Sequence, residues 1–432
     1  MNFEDLGLAS DLLQTVTGLG YDAPTPIQKE AIPLILDGRD VLAAAQTGTG
    51  KTGAFALPTL QRLAFVGSAR PKQVRALVLT PTRELALQVH ESAVAYAHRL
   101  DLHCAAVYGG VKLPPQIKAV SKGVDFLVAT PGRLLDLASQ GALKFEHLDM
   151  LILDEADRML DMGFIHDIRR IVDLLPSRRQ TLMFSATFSP DIRRLAKRYL
   201  DQPAQVQIAP ENTATELVEQ AAYHLERAQK STFLVSLIRD RQWHQVLVFV
   251  RTKHGANRLS RRLEKEGIRA APIHGNKSQN ARQRALDDFK NGRLQALVAT
   301  DIAARGLDID QLPEVVNFDL PAVAEDYVHR IGRTGRAGST GRSHSLVAPE
   351  DEGLLRAIER LIGRKIPATT IKPAAATSPS IEETSEPSSR AVSPSEGETR
   401  EARKPRRRRR RAKARSKTGP TGASSPPTRL SA

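Results

Sequence analysis

The sequence predicts an α/β protein built from two tandem units, each a parallel sheet with helices on both faces. Three observations predict it. Short apolar runs rich in β-branched residues alternate with helical stretches over residues 26–210. The runs are continuously apolar rather than alternating, as strands covered on both faces should be. The pattern then restarts after a polar stretch around Asn212. The segments between runs are long enough for the crossover helices that parallel neighbours need. At 432 residues the chain also exceeds what one core sustains.

In the first unit the expected strands are Val41–Ala44, Val74–Thr80, Phe126–Thr130, Met150–Asp154 and Thr181–Ser185. In the second they are Gln245–Val250, Ala270–His274, Gln295–Thr300, Val315–Asp319 and Ser343–Val347. Leu354, Leu355, Ile358, Leu361 and Ile362 recur at helical spacing, so Asp351–Ile366 is expected to be a closing helix with its stripe on the core. The units are then 1–210 and 217–366, with a linker at 211–216. Residues 367–432 change to Pro, Ser, Thr and Glu, then Arg and Lys, without Phe, Trp or Tyr. Such a tail cannot bury a core and is expected to be disordered.

The net charge is +15, from 63 Lys and Arg against 48 Asp and Glu, which points to a polyanionic partner. Residues 366–432 carry 15 of these cations against 6 carboxylates, so most of the excess lies in the tail, where Arg406–Arg411 are unbroken arginine. Cys104 is the single cysteine, which excludes internal disulfides and Cys-rich zinc sites. No stretch is apolar enough to span a bilayer, and the N-terminus, with Glu4 and Asp5, is acidic where a signal peptide is basic. The expectation is a cytoplasmic protein without a membrane partner.

The chemistry is concentrated at strand ends. After the run Val41–Ala44 comes Ala45-Gln46-Thr47-Gly48-Thr49-Gly50-Lys51-Thr52, a phosphate loop whose first glycine is replaced by Ala45. Glycines let backbone N–H groups approach phosphates, and the following helix N-terminus adds positive potential. Lys51 is expected to reach the β and γ phosphates and the Thr52 hydroxyl to ligate magnesium. The run Met150–Leu153 ends in Asp154 and Glu155. Asp154 is placed to hold magnesium, Glu155 to orient or deprotonate an attacking water. The two elements together read as a nucleoside-triphosphate hydrolase. The second unit has no phosphate loop, so it is expected to complete the site of the first.

The carboxylate pair continues as Asp154-Glu155-Ala156-Asp157, and along residues 3 to about 348 it is joined by Phe3, Gly20–Gln28, Pro81-Thr82-Arg83-Glu84-Leu85-Ala86, Gly109-Gly110, Thr130-Pro131-Gly132-Arg133, Ser185-Ala186-Thr187, Val248–Thr252, His274–Arg282, Val298–Asp308 and His329–Arg336. In this order they resemble the motifs of the DEAD-box RNA helicases of superfamily 2, most closely the bacterial RhlE-type members. The resemblance implies two RecA-like domains, ATP with Mg2+, and RNA as a single strand or short duplex bound without sequence preference. It implies that Phe3 and Gln28 read adenine, beside the loop residues Thr47, Gly48, Thr49 and Gly50. It assigns RNA contacts to Pro81, Thr82 and Arg83, to Gly109 and Gly110, and to Thr130, Pro131, Gly132 and Arg133. In the second unit it assigns them to Arg251 and Thr252, to Gly275, Gln279 and Arg282, and to Thr300 and Asp301. Gly306 and Asp308 would face the nucleotide, and Arg333 and Arg336 would reach the γ-phosphate across the cleft. Asp157, Ser185, Thr187 and His329 would couple hydrolysis to RNA. The implied activity is RNA-stimulated ATP hydrolysis driving local, non-processive unwinding or remodelling, with ribosomal precursors or RNA-degradation machinery as partners. A DNA translocase and an RNA-binding scaffold with an idle ATPase are the competing readings. Asp157 and the Phe3–Gln28 pair oppose the first, Glu155 and Arg333 the second.

Overall fold

The computed structural model describes residues 2–45, 48–65, 67–208, 218–304, 309, 312–335 and 341–371. Within them the apolar runs assemble into two seven-stranded sheets. The first contains β1 (Val41–Ala44), β2 (Val74–Leu79), β3 (Cys104–Val107), β4 (Val124–Ala129), β5 (Met150–Leu153), β6 (Gln180–Ser185) and β7 (Ala204–Gln207), in the spatial order β3-β4-β2-β5-β6-β1-β7. The second contains β8 (Val218–His224), β9 (Val246–Phe249), β10 (Ala270–Ile273), β11 (Ala296–Ala299), β12 (Glu314–Asn317), β13 (Gly341–Val347) and β14 (Ala368–Thr370), ordered β10-β11-β9-β12-β13-β8-β14. Advancing each number of the first order by seven gives the second, so one RecA-like topology is used twice. The pairings are parallel throughout.

The strands alternate their side chains between two cores. In the first sheet Ala76, Val78, Phe126, Ile152 and Phe184 enter one cluster, while Leu77, Leu79, Leu127, Leu151 and Met183 enter the other. That is the period-2 pleat with both faces buried, which is why these runs read as uninterrupted apolar sequence. β3, β7, β8 and β14 were not expected. Each is half-buried or exposed, at or next to a sheet edge, so no continuous apolar run marks it.

Two expectations are corrected near the end of the second half. The closing helix spans Glu352–Ile362 and stops where Gly363 adopts the left-handed conformation (φ 70°) that caps helices. Leu355 and Ile358 are buried in it, but Leu361 is exposed. The sheet takes in Ala368–Thr370 beside β8, so the folded unit runs past Ile366, the residue before the expected tail. The 211–216 linker and the tail beyond Ile371 lie outside the described residues. No helix among the described residues is long and apolar enough to cross a membrane.

The topology positions the site. Helices Lys51–Ala64, Arg83–Tyr96, Pro131–Ser139 and Ala156–Asp161 follow β1, β2, β4 and β5, and helices Lys253–Lys265, Gln279–Lys290 and Asp301–Ala304 follow β9, β10 and β11. The motifs on these segments therefore sit at the carboxyl edge of a sheet, facing helix N-termini. Parallel α/β sheets bind ligands at that edge.

Candidate functional site

A cavity of about 680 Å³ opens at the carboxyl edge of the first sheet. Lys51 begins its helix there, 7 % exposed, and its Nζ donates to the Ala45 carbonyl at 3.0 Å. Gly50, just before it, has φ 88°, and a Cβ at Gly50 or Gly53 would come within 3 Å of the Gln28 amide. Gly50 is thus favoured by close approach as well as by conformation, and Gly53, within the helix, by close approach. Gln28 is buried by that approach. Its Oε1 accepts from the Thr25 N–H (3.0 Å) and its Nε2 donates to the Gly50 carbonyl (3.1 Å). One N–H and one lone pair remain for a base, and the amide also ties the adenine segment to the phosphate loop. Phe3 is buried in the first core and lines the cavity.

Tyr21 and Tyr96 bound the same cavity, their hydroxyls 3.2 Å apart and their rings edge to face. Burial, together with Tyr21, raises the Tyr96 phenol, so it stays a protonated donor. Sequence reasoning assigned no role to Tyr96, nor to Gln88 and Ser92 on the same wall. The signal was available: Leu85, Gln88, Ser92 and Tyr96 recur at helical spacing from the first turn after Arg83.

Asp154 and Glu155 form the cavity floor. Asp154 is buried, and its Oδ1 has no partner. Burial pushes its pKa up, Lys51 pulls it down, and Glu155 pushes it up again, with a net rise. A buried carboxyl with an unspent oxygen, on the same cavity as Thr52, fits a hard cation that would favour its ionised form and take its other ligands from phosphate and water. Among the described residues no cluster of three or more His, Cys, Asp or Glu is placed to hold a metal ion. Glu155 occupies the left-handed region (φ 53°), a conformation costly for a residue with Cβ. Arg158 holds it there, Nη1 donating to Oε2 at 2.8 Å with both side chains buried. Arg158, like Tyr96, Gln88 and Ser92, was not singled out from the sequence.

The second half reaches this floor. Arg333, 4 % exposed, lines the nucleotide cavity, and with His329 and Arg330 it also borders a small cleft against Arg158. Asp157 faces the other way. Its Oδ2 accepts from the Ala186 N–H (3.0 Å), in the Ser185–Thr187 turn, where the Thr187 N–H approaches the Ser185 hydroxyl. The expected roles of Thr47, Gly306, Asp308 and Arg336 fall outside the described residues.

A second cavity, about 470 Å³, is lined from the first half by Pro81, Thr82, Arg83, Gly109, Thr130, Gly132 and Arg133, and from the second by Gly275 and Arg282. Thr82 and Thr130 are helix N-caps, and the Thr82 hydroxyl accepts from the Leu85 N–H. Gly110 (φ 80°) leaves room for the Arg83 guanidinium, onto which any Cβ would fall. Arg133 Nη1 and Arg282 Nε are buried without partners. Unspent guanidinium donors on residues that line a cavity are what an anionic oxygen satisfies.

Other expected RNA contacts are spent differently. Gln279 and Arg282 both donate to Glu84 Oε1 at 3.0 Å, a bond from one half to the other with all three residues buried. Arg330 clamps the Asp301 carboxylate at 2.6 and 2.8 Å. The Arg251 guanidinium lies against the Leu320 carbonyl and Asp351. Thr252 caps its helix, its hydroxyl accepting from the Gly255 N–H. Gly110, Pro131 and Thr300 are likewise not on the wall of this cavity.

A nucleotide cavity that one sheet frames and the other sheet closes defines a helicase-type nucleoside triphosphatase. The chain belongs to the DEAD-box RNA helicase family, and as a member it is an ATP-dependent RNA helicase. Residues 25–195 match the family model for the DEAD/DEAH box helicase, and 229–338 that for the helicase conserved C-terminal domain. The chain is 44 % identical over 370 residues to the RNA helicase CrhR of Synechocystis sp., covering 85 % of this chain and 74 % of that protein. It is 42 % identical over 370 residues to the ATP-dependent RNA helicase RhlB of Pseudomonas putida, with 84 % and 93 % covered. Its structure superimposes on S. cerevisiae Dbp5 bound to RNA and ADP BeF3 with a TM-score of 0.75 and 32 % identity, over 86 % of this chain and 95 % of that one.

Proposed function

We propose that the chain couples RNA-stimulated ATP hydrolysis to local, non-processive separation of short RNA duplexes, or to the displacement of proteins from RNA. The observation that carries this is the nucleotide cavity bordered by Lys51, Asp154 and Glu155 from one half and by Arg333 from the other. Neither half holds the full set. Residues 1–210 act as the ATP-binding domain and those from 217 as the completing domain. ATP and single-stranded RNA favour the joined state because each gains contacts from both halves only there.

In this reading Lys51 neutralises the β and γ phosphates, and Phe3 and Gln28 hold adenine. Thr52 and Asp154 would hold a magnesium ion, which supplies charge neutralisation on the phosphates as they separate. Glu155, oriented by Arg158, takes the proton of the attacking water. Arg333 stabilises the charge that develops on the γ-phosphate. Asp157 transmits the state of the floor to the Ser185–Thr187 turn. Arg83, Arg133 and Arg282 hold RNA phosphates without reading bases, so the substrate is backbone and shape rather than sequence. RNA-bound relatives such as Dbp5 support this assignment.

An RhlE-type member is our reading of the motifs; CrhR and RhlB carry other names, so it rests on the sequence alone. Ribosomal precursors or RNA-degradation machinery in the cytoplasm remain the proposed setting. The test is duplex unwinding by wild type and Glu155→Gln. Wild type should separate short duplexes with ATP, lose the ability as duplex length grows, and show ATPase stimulated by RNA but not DNA. Glu155→Gln should retain ATP and RNA binding without turnover. Length-independent unwinding, or equal stimulation by DNA, would refute the proposal.

A further inference from the structure

The second half ends in a group of cations that none of these roles uses. Helix Glu352–Ile362 carries Arg356 and Arg360 one turn apart, and the left-handed Gly363 turns the chain so that Arg364 and Lys365 join them around a concavity of about 480 Å³. Glu359 is the carboxylate in that wall, and it is committed. It accepts from the Ile366 N–H (3.0 Å) and pairs with Lys365 (3.3 Å). Arg356 and Arg360 are exposed, and among the described residues neither guanidinium has an ion pair.

The other end of the same helix is balanced. Glu350 pairs with Arg227 at 3.6 Å, Asp351 with Lys230 at 2.7 Å, and Glu352 with His224 at 2.7 Å. The helix dipole favours a cation in the last turn and so accounts for Arg360. It does not account for Arg356, whose like charge four residues before Arg360 weakens the helix. Two uncompensated arginines at a concave surface are a standing cost that a polyanion would remove.

The helix also connects two regions. It starts beside Asp351, whose Oδ1 lies 3.4 Å from the Arg251 guanidinium at the carboxyl edge of the sheet, and runs 11 residues, about 16 Å, down the flank of the domain. We infer that the Arg356–Arg360–Arg364 concavity is a second, sequence-blind binding site for the phosphates of an RNA strand that extends beyond the cleft. This rests on the RNA reading of the cleft. No aromatic residue lines the concavity, so it offers forked donors to phosphate without a surface for stacking bases.

The test compares full-length wild type with R356Q/R360Q, binding a long single-stranded RNA and an oligomer just long enough to fill the cleft. Gln keeps helix propensity, and both sites are exposed, so folding should survive and is checked by circular dichroism. For long RNA the double variant should bind more weakly, its log–log salt slope shallower by about 1.4 for two lost phosphate contacts. Its affinity should therefore fall about sevenfold less than that of wild type between about 50 and about 200 mM salt. The short oligomer and the maximal ATPase rate should be unaffected. Equal affinity and slope on long RNA would overturn the inference. So would tighter binding by the variant, since the arginines would then be holding an acidic segment such as 382–401. Failure of wild type to bind even the short oligomer would instead overturn the cleft reading.

Discussion

The two halves share one strand order but differ in the connection that leaves their equivalent first strands. After β1 the chain makes a glycine-rich loop and enters a helix at Lys51; after β8 it makes a short turn, capped by Glu226 and Gln229, and enters a helix at Lys230. Both lysines are first residues of their helices, and both are buried. Lys51 spends a donor on the Ala45 carbonyl and faces an open cavity. Lys230 is consumed by Asp351 (2.7 Å) and the Phe318 carbonyl (3.2 Å). One topology thus presents the same residue as a ligand-binding cation in one half and as a structural ion in the other. Chemistry here resides in loop and partner, not in the sheet.

The sharpest way to break that division is at Arg333, where the second half enters the chemistry of the first. Arg333→Ala should lower RNA-stimulated turnover by roughly three to five decades, the range for arginines supplied across a cleft. ATP binding, which rests on the first half, should weaken far less. Single-turnover hydrolysis beside equilibrium nucleotide binding separates the two. A fall in turnover below tenfold would mean that the second half is only an accessory.

The equivalent lysines give the next largest contrast. Lys51→Met should abolish ATPase with little change in unfolding midpoint. Lys230→Met removes the nearest partner of a buried carboxylate, leaving it the Arg251 guanidinium at 3.4 Å and the Ala348 N–H, and should cost about 1–3 kcal/mol of stability while ATP binding by the folded fraction persists. Burial works against the Asp351 charge, but the bond and charge of Lys230 overcome it and hold the carboxyl below its ordinary value. That contribution is present above the unfolded-state carboxylate range and is lost as pH falls through the lowered value. The gap between wild type and Lys230→Met in urea melts should therefore narrow in acid.

Much of this division was legible in sequence, because it lies in short loops between uninterrupted apolar strands. Val41–Ala44 was bounded to the residue, and Lys51, Asp154, Glu155 and Arg333 fall on one cavity as expected. The features that escaped were of two kinds. β3, β7, β8 and β14 lie near sheet edges, where one-sided burial replaces the continuous apolar signal. Arg158, Tyr96 and Glu84 act from helices: helical spacing gives the face that carries Tyr96 and Glu84 but not their partners 75 and 195 residues away, Tyr21 and Gln279, while Arg158 meets its neighbour Glu155 only because of the left-handed turn there. Glu84 was read within a motif whose arginine drew the assignment, yet it is the acceptor on which Gln279 and Arg282 converge.

Glu84→Gln probes that convergence and should have an intermediate effect. A hydrogen bond to a charged group contributes about 1.5–3 kcal/mol, so losing the charge should weaken the joined state roughly tenfold. The expected signature is a loss of coupling between ligands. ATP should tighten RNA binding less in the variant than in wild type, while either ligand alone binds nearly as before. Unchanged coupling would show that the contact is incidental to joining the halves.

The smallest effect contrasts two buried carboxylates and predicts opposite signs. Glu314, in the second half, is fully used: Oε1 accepts from Arg342 Nε at 2.9 Å and Oε2 lies 2.9 Å from His344 Nε2. Asp154, in the first, has one oxygen without a partner, and burial has raised its pKa despite the attraction of Lys51. A raised folded-state value means that ionisation opposes folding, and the penalty grows as pH climbs from the unfolded value to the folded one. Asp154→Asn should therefore stabilise the nucleotide-free protein near neutral pH, by on the order of 1 kcal/mol, since a tenfold change in proton affinity is worth about 1.4 kcal/mol. The gain should vanish in acid, where the wild-type carboxyl is already neutral. Glu314→Gln should instead destabilise by about 1–3 kcal/mol, because it strips the charge from bonds already made. Thermal melts of both variants at neutral and acidic pH, without nucleotide, decide the matter. If Asp154→Asn is no more stable than wild type, the orphaned oxygen is not a strain held for a cation, and the floor of the first half would be as settled as that of the second.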